Sequence, residues 1–99
     1  MRVWWGMIRS FADKDAEALL HGRFARKLPP DIQRVAQRKL RQIQAAVVLA
    51  DLRVPPGNRL EVLKANRAGQ HSIWINDQWR ICFVWTDGAA EFVEIVDYH

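Results

Sequence analysis

The sequence predicts an α+β domain in which a short N-terminal strand and two helices pack on a curved antiparallel β-meander. Three observations carry this. Between Ile32 and Val47 apolar side chains recur every three or four positions, the period of a helix. From Arg59 onward the period falls to two, that of a strand. Between the two regimes stands Pro55-Pro56-Gly57-Asn58, which ends helical structure because proline lacks a donor and restricts the residue before it.

The elements follow in order. Ile8–Phe11 reads as a short β-type run. Asp13 offers an N-cap to a first helix of Ala and Leu formers, with acidic residues in its first turn and a stop near Gly22. Pro30 and Asp31 start the second and stronger helix. Its stripe is Ile32, Val35, Ala36, Leu40, Ile43 and Val47, while Arg34, Arg38 and Arg41 fall on another side and the glutamines add polar surface. Leu49–Leu52 adds a short helical turn. Arg59–Leu63, Gln70–Ile75, Trp79–Trp85 and Glu91–Val96 are the strands, with turns at Asn76-Asp77 and Asp87-Gly88. In the third, Trp79, Ile81, Phe83 and Trp85 share one face, and Arg80, Cys82 and Val84 the other.

With 99 residues the chain makes one domain. Met7 opens the run MIRSF and looks like a natural start, so residues 1–6 read as an extension and 7–99 as the domain. A single cysteine excludes an internal disulfide and suits a reducing cytosol; Cys82 reads as a small core residue. No apolar run approaches the ~20 residues that span a bilayer, so no membrane partner is expected. The net charge is +4, and from Arg23 to Arg41 seven cations oppose the single Asp31. Such a field suits a polyanion or an acidic protein, and a solvated helix face equally.

Several chemistries find no support. His21, His71 and His99 show no metal-ligand spacing, the five glycines are scattered and cradle no phosphate, and no serine sits in a nucleophile elbow. No cofactor or metal is expected. What remains is a sheet carrying cations and proton-transfer groups at its strand ends. RNA cleavage needs such a set: a base to deprotonate the 2′-OH, cations for the extra charge on phosphorus, and an acid for the departing 5′-oxygen. Arg80, Lys64 and Arg67 offer positive charge. His99 offers a proton near neutral pH, with Asp97 to orient it and Tyr98 to stack on a base. Composition alone favours the plainer reading of His99 as a frayed terminal residue, and of Lys64 and Arg67 as loop charges. Arg80, inside a strand between Trp79 and Ile81, is harder to dismiss.

The run PPGNRLEVLKANRAGQHSIWINDQWRICFVW, with VEIVDYH at the end, resembles the HigB-type killer proteins of the RelE/ParE toxin superfamily. The resemblance extends from Met7 to His99. It implies a β-α-α-β-β-β core and a bacterial toxin that cuts mRNA in the decoding site of the 70S ribosome. It also implies a helix-turn-helix antitoxin as partner, the complex binding its own operator DNA. By the same resemblance Asp97, Tyr98 and His99 match the catalytic end, Arg80 the arginine of the QWR strand, and Lys64 a lysine of the preceding strand-loop. Arg67 belongs to the same basic loop and, with Arg34, Arg38 and Arg41, is expected to meet RNA. Some relatives carry histidine where this chain has Glu61. The general base is then either Glu61 or a task shared by Asp97 and His99. That departure also leaves a rival: superfamily members that are not nucleases but bind and poison DNA gyrase.

Overall fold

Asp13 shows how the N-terminal part is tied to the sheet. In this computed structural model, which describes residues 8–98, helix α1 spans Lys14–Leu20. One Asp13 carboxylate oxygen accepts the Ala16 N–H at 2.6 Å, the N-cap bond. The other accepts the Ile95 N–H at 2.9 Å, far along the chain. The helix ends at His21, and Gly22 takes the positive φ of 80° that its exit needs. The N-terminal extension 1–6 and His99 lie outside the described residues.

Helix α2 spans Pro30–Ala45, with proline in its first turn, where its missing N–H costs nothing. Ile32, Ala36, Leu40 and Ile43 are buried, as the stripe predicts. Val47 is not: the helix stops at Ala45, Ala46 is extended, and Val47 is 70% exposed. Gln33, expected on the polar surface, is buried. Its amide oxygen accepts from Ala25 N–H (2.9 Å), and its Nε2 donates to the carbonyls of Ala25 (2.7 Å) and Leu28 (3.0 Å). A buried connector must satisfy its backbone, and this side chain does so. Lys39, one of the seven cations, is also buried. Its Nζ donates to the Trp74 carbonyl at 2.6 Å, and burial, with Arg38 nearby, lowers its pKa.

The 3-10 turn Leu49–Arg53 matches the expected helical turn. The proline run does not end helical structure outright, because Pro56–Asn58 forms one further 3-10 turn. Pro56 opens that turn and so has no N–H to lose, and Asn58 N–H closes it onto Pro55 O at 3.0 Å.

The sheet is an antiparallel meander in the order β1 (Glu61–Val62), β2 (His71–Trp74), β3 (Trp79–Thr86) and β4 (Ala89–Asp97). The expected strand Arg59–Leu63 shrinks to the two residues of β1. The expected N-terminal strand is reduced to parallel bridges from Ile8 to Ala90 and from Phe11 to Val93, along the outer edge of β4. The reason is local. β4 is irregular there, with a register shift against Cys82 and Val84 and Phe92 at φ 53°, and the Ser10 hydroxyl takes the Phe92 N–H.

Register sorts the sheet into two faces. Ile73, Ile81 and Ile95 are aligned across three strands and buried in one cluster with Ile32, Ala36, Leu40 and Ile43 of α2 and Ala16 and Leu19 of α1. On the opposite face Trp74, Arg80 and Val96 form one row, and Glu61, Ser72, Cys82 and Glu94 the next. The helices therefore cover one face and leave the second to other groups.

Candidate nucleic-acid site on the open face of the sheet

The β2–β3 hairpin builds the seat of Arg80. Asn76 Oδ1 accepts the N–H groups of Gln78 (2.9 Å) and Trp79 (2.8 Å), an Asx turn that leaves the carbonyls of Asn76 and Asp77 pointing back. Arg80 Nη1 donates to both, at 2.8 and 3.1 Å. Its guanidinium carbon lies 4.0 Å from the centre of the Trp74 ring and 5.2 Å from that of Tyr98. A second guanidinium, from Arg59, lies 4.1 Å from the same indole. Tyr98 is placed by its own N–H, which donates to Gln78 O at 2.6 Å. Arg80 is only 8% exposed, yet its Nε has no hydrogen-bond partner among the described residues, nor do Trp74 Nε1 and Ser72 Oγ beside it. Buried polar groups without a partner are rare, and three of them gather on this face.

The neighbouring row adds charge. Arg67 Nη1 donates to Glu94 Oε2 at 3.1 Å and to Gln70 Oε1 at 2.9 Å, and the Glu94 carboxylate raises its pKa still further. Cys82 lies beneath, fully buried. Burial raises its thiol pKa, against the pull of Arg67 and Arg80, so it stands as a neutral thiol. Glu61 is exposed and opposite Ser72, on the same face. Lys64 is exposed at the start of the 3-10 turn Ala65–Arg67. Asp97 is aligned with Trp79 and so belongs to the other face, with its carboxylate accepting from Gln78 Nε2 at 3.1 Å. Arg34, Arg38 and Arg41 are exposed on α2, which packs on the far side of the sheet, and do not join this group.

A groove of about 540 Å³ continues from Arg59, lined by Leu49, Arg53, Pro56, Glu61 and His71 among others. The His71 ring stacks on Phe83 with centroids 6.0 Å apart, and burial lowers its pKa below the ordinary 6.5.

Of the site residues named from the sequence, the structure brings Arg80, Tyr98, Arg67 and Glu61 to one face, beside Trp74 and Glu94, which sequence reasoning did not name. The observed register is centred on Asp77 and pairs Trp74 with Arg80, whereas a two-residue Asn76-Asp77 turn would pair Trp74 with Trp79, so this neighbour emerges only from the fold. What the arrangement offers is fixed positive charge and aromatic surface on a rigid strand pair, the means to bind a nucleic acid strand and neutralise a phosphate.

Comparison with known proteins agrees with that chemistry. The family model described as the RelE-like toxin of type II toxin-antitoxin system HigB matches residues 9–99. Toxin HigB-1 of Vibrio cholerae is 46% identical over 65 residues, which cover 66% of this chain and 68% of the relative. The endoribonuclease HigB of Proteus vulgaris is 33% identical over 98 residues, covering 94% of this chain and 100% of the relative. The match runs over nearly the whole chain and takes in every side chain of the open face, and the protein therefore belongs to the HigB-like family of RelE-like toxins from type II toxin-antitoxin systems.

Proposed function

We propose that this toxin is an endoribonuclease that cuts mRNA on the translating ribosome. The observation that carries the reading is the clamped guanidinium of Arg80, fixed by two turn carbonyls and two aromatic rings on the open face of the sheet. Preorganised charge of this kind is what a phosphoryl transition state needs, because the donor does not reorganise as the charge develops. The similarity to a protein named endoribonuclease supports it independently.

In the proposed reaction the 2′-oxygen of the RNA attacks its own 3′-phosphate. The O2′–P bond forms, the P–O5′ bond breaks, and the products are a 2′,3′-cyclic phosphate and a free 5′-OH. Glu61, on the Arg80 face, takes the 2′-OH proton, and His99 returns one to the departing 5′-oxygen. Arg80, Lys64 and Arg67 hold the phosphate, and Tyr98 braces Arg80 while offering its exposed ring to a base. Glu61 is a modest base, so a scaffold that bends the message for in-line attack supplies much of the rate, and the 70S ribosome is that scaffold. As a type II toxin the protein has a cognate antitoxin. In this reading the antitoxin carries a helix-turn-helix domain and brings the complex to operator DNA, and Arg34, Arg38 and Arg41 meet ribosomal RNA or the antitoxin.

The test is primer extension on a defined mRNA in a purified translation system, with and without ribosomes, for the wild type, Arg80→Ala and a His99 deletion. Cuts that need both ribosomes and Arg80 are expected. Cuts on naked RNA would remove the ribosome from the mechanism. A folded wild-type protein that cuts neither would favour a toxin acting by protein binding.

A further inference from the structure

We infer that Arg59 is a second phosphate-binding cation of this site, and that Trp74 is the positioning residue joining it to Arg80. This rests on the ribonuclease reading and extends it to the neighbouring nucleotide. Arg59 precedes β1 and Arg80 lies on β3, on either side of the strand that carries Trp74, so two guanidiniums share one indole. Their central carbons are therefore at most about 8 Å apart. Like charges this close repel, and the face of an indole compensates only in part. Among the described residues no carboxylate stands within ion-pair distance of Arg59, although Glu61 lines the same groove.

The backbone points the same way. Arg59 sits at φ 47° and ψ 58°, a left-handed conformation that L-residues other than Asn and Asp seldom adopt. Glycine would fit there more easily, yet the position carries a long cation. Beyond it the groove runs on to Arg53. A single anion at Arg80 would leave Arg59 uncompensated. A phosphodiester chain meets both, one phosphate at Arg80 and the next at Arg59, with the strand leaving along the groove.

The plainer account is that Arg59 merely shields the indole from water. Salt dependence separates the two, since a shield alters stability and a phosphate ligand alters counterion release. The binding measurement uses ribosomes programmed with an mRNA carrying a 2′-deoxynucleotide at the cut, which stops cleavage, titrated with toxin across KCl concentrations. Cleavage kinetics use the all-ribose message. Arg59→Ala should weaken binding about tenfold, lower the slope of log affinity against log salt by about 0.7, the share of one single-strand phosphate, and raise KM more than it lowers kcat. Arg59→Lys should restore most of the slope. Trp74→Leu should lower kcat as well as affinity, because Arg80 loses its support, and Trp74→Phe should recover both. Unchanged affinity and slope in Arg59→Ala overturn the inference. So does a loss that Lys does not restore and that comes with a lowered melting temperature. Arg80→Ala in the same assays tells the two readings apart: if it cuts normally the ribonuclease site itself is misplaced, whereas if it is inactive while Arg59→Ala is silent, only the second cation is lost.

Discussion

The two faces of this sheet are built from the same strands to opposite specifications. One carries Ile73, Ile81 and Ile95 in register, packed in one apolar cluster with residues of the two helices. The other, shifted by one residue along each strand, carries Trp74, Arg80, Ser72, Cys82 and Glu94, with cations stacked on rings and donors left open. A period of two makes this separation cheap: each strand serves stability and chemistry with alternate side chains. Damage to the two faces should therefore appear in different measurements.

The sharpest break is Arg80→Ala. Losing a preorganised cation should lower ribosomal mRNA cutting about 10³-fold, equivalent to about 4 kcal/mol of barrier, while its urea-unfolding free energy changes by less than that of a core truncation. Comparable losses in stability and cutting would mean the faces are not independent. The mirror experiment is Phe83→Ala, which removes a fully buried ring and should cost roughly 3–5 kcal/mol in urea unfolding, with cutting per folded molecule little altered.

Smaller, and on the boundary between helix and sheet, is Asp13→Ala. It removes the cap of α1 and leaves the Ile95 N–H without its acceptor, so about 2 kcal/mol should be lost rather than the ~1 of a cap alone. A loss confined to the cap value would show that the Ile95 bond contributes little. The smallest effect is titration of His71. Its folded pKa lies below 6.5, so the unfolded chain binds the extra proton. The contribution is complete above that value and is lost as pH falls from about 6.5 through the folded pKa. His71→Gln should flatten thermal stability over that window, and an unchanged acid slope would place the sensitivity elsewhere.

Much of this contrast could be read before any coordinates. The α2 stripe, the Asp13 cap, the Asn76-Asp77 turn and the split of β3 into two faces all follow from local pattern. The failures are those of long-range geometry. Gln33 and Lys39 look like surface residues until the connector and the Trp74 carbonyl are seen to need donors. Val47 keeps the helical spacing but lies past the end of the helix. Arg59 and Trp74 become a pair only when β1 is laid beside β2, and a two-residue strand gives the sequence little to announce that with.

The way Arg80 is held has a kinetic side. Both turn carbonyls that its Nη1 bonds lie within four residues of it, and Trp74 is only six away. Closing so short a loop costs little entropy, and hairpins form in about 1–10 μs. From the helices this seat receives the Lys39 bond to the Trp74 carbonyl, a longer-range contact that forms more slowly than the hairpin itself. Native-state amide exchange should accordingly find the Trp74–Arg80 hairpin still protected in openings that release α1, so that the groups assigned to chemistry assemble before the fold that carries them is complete.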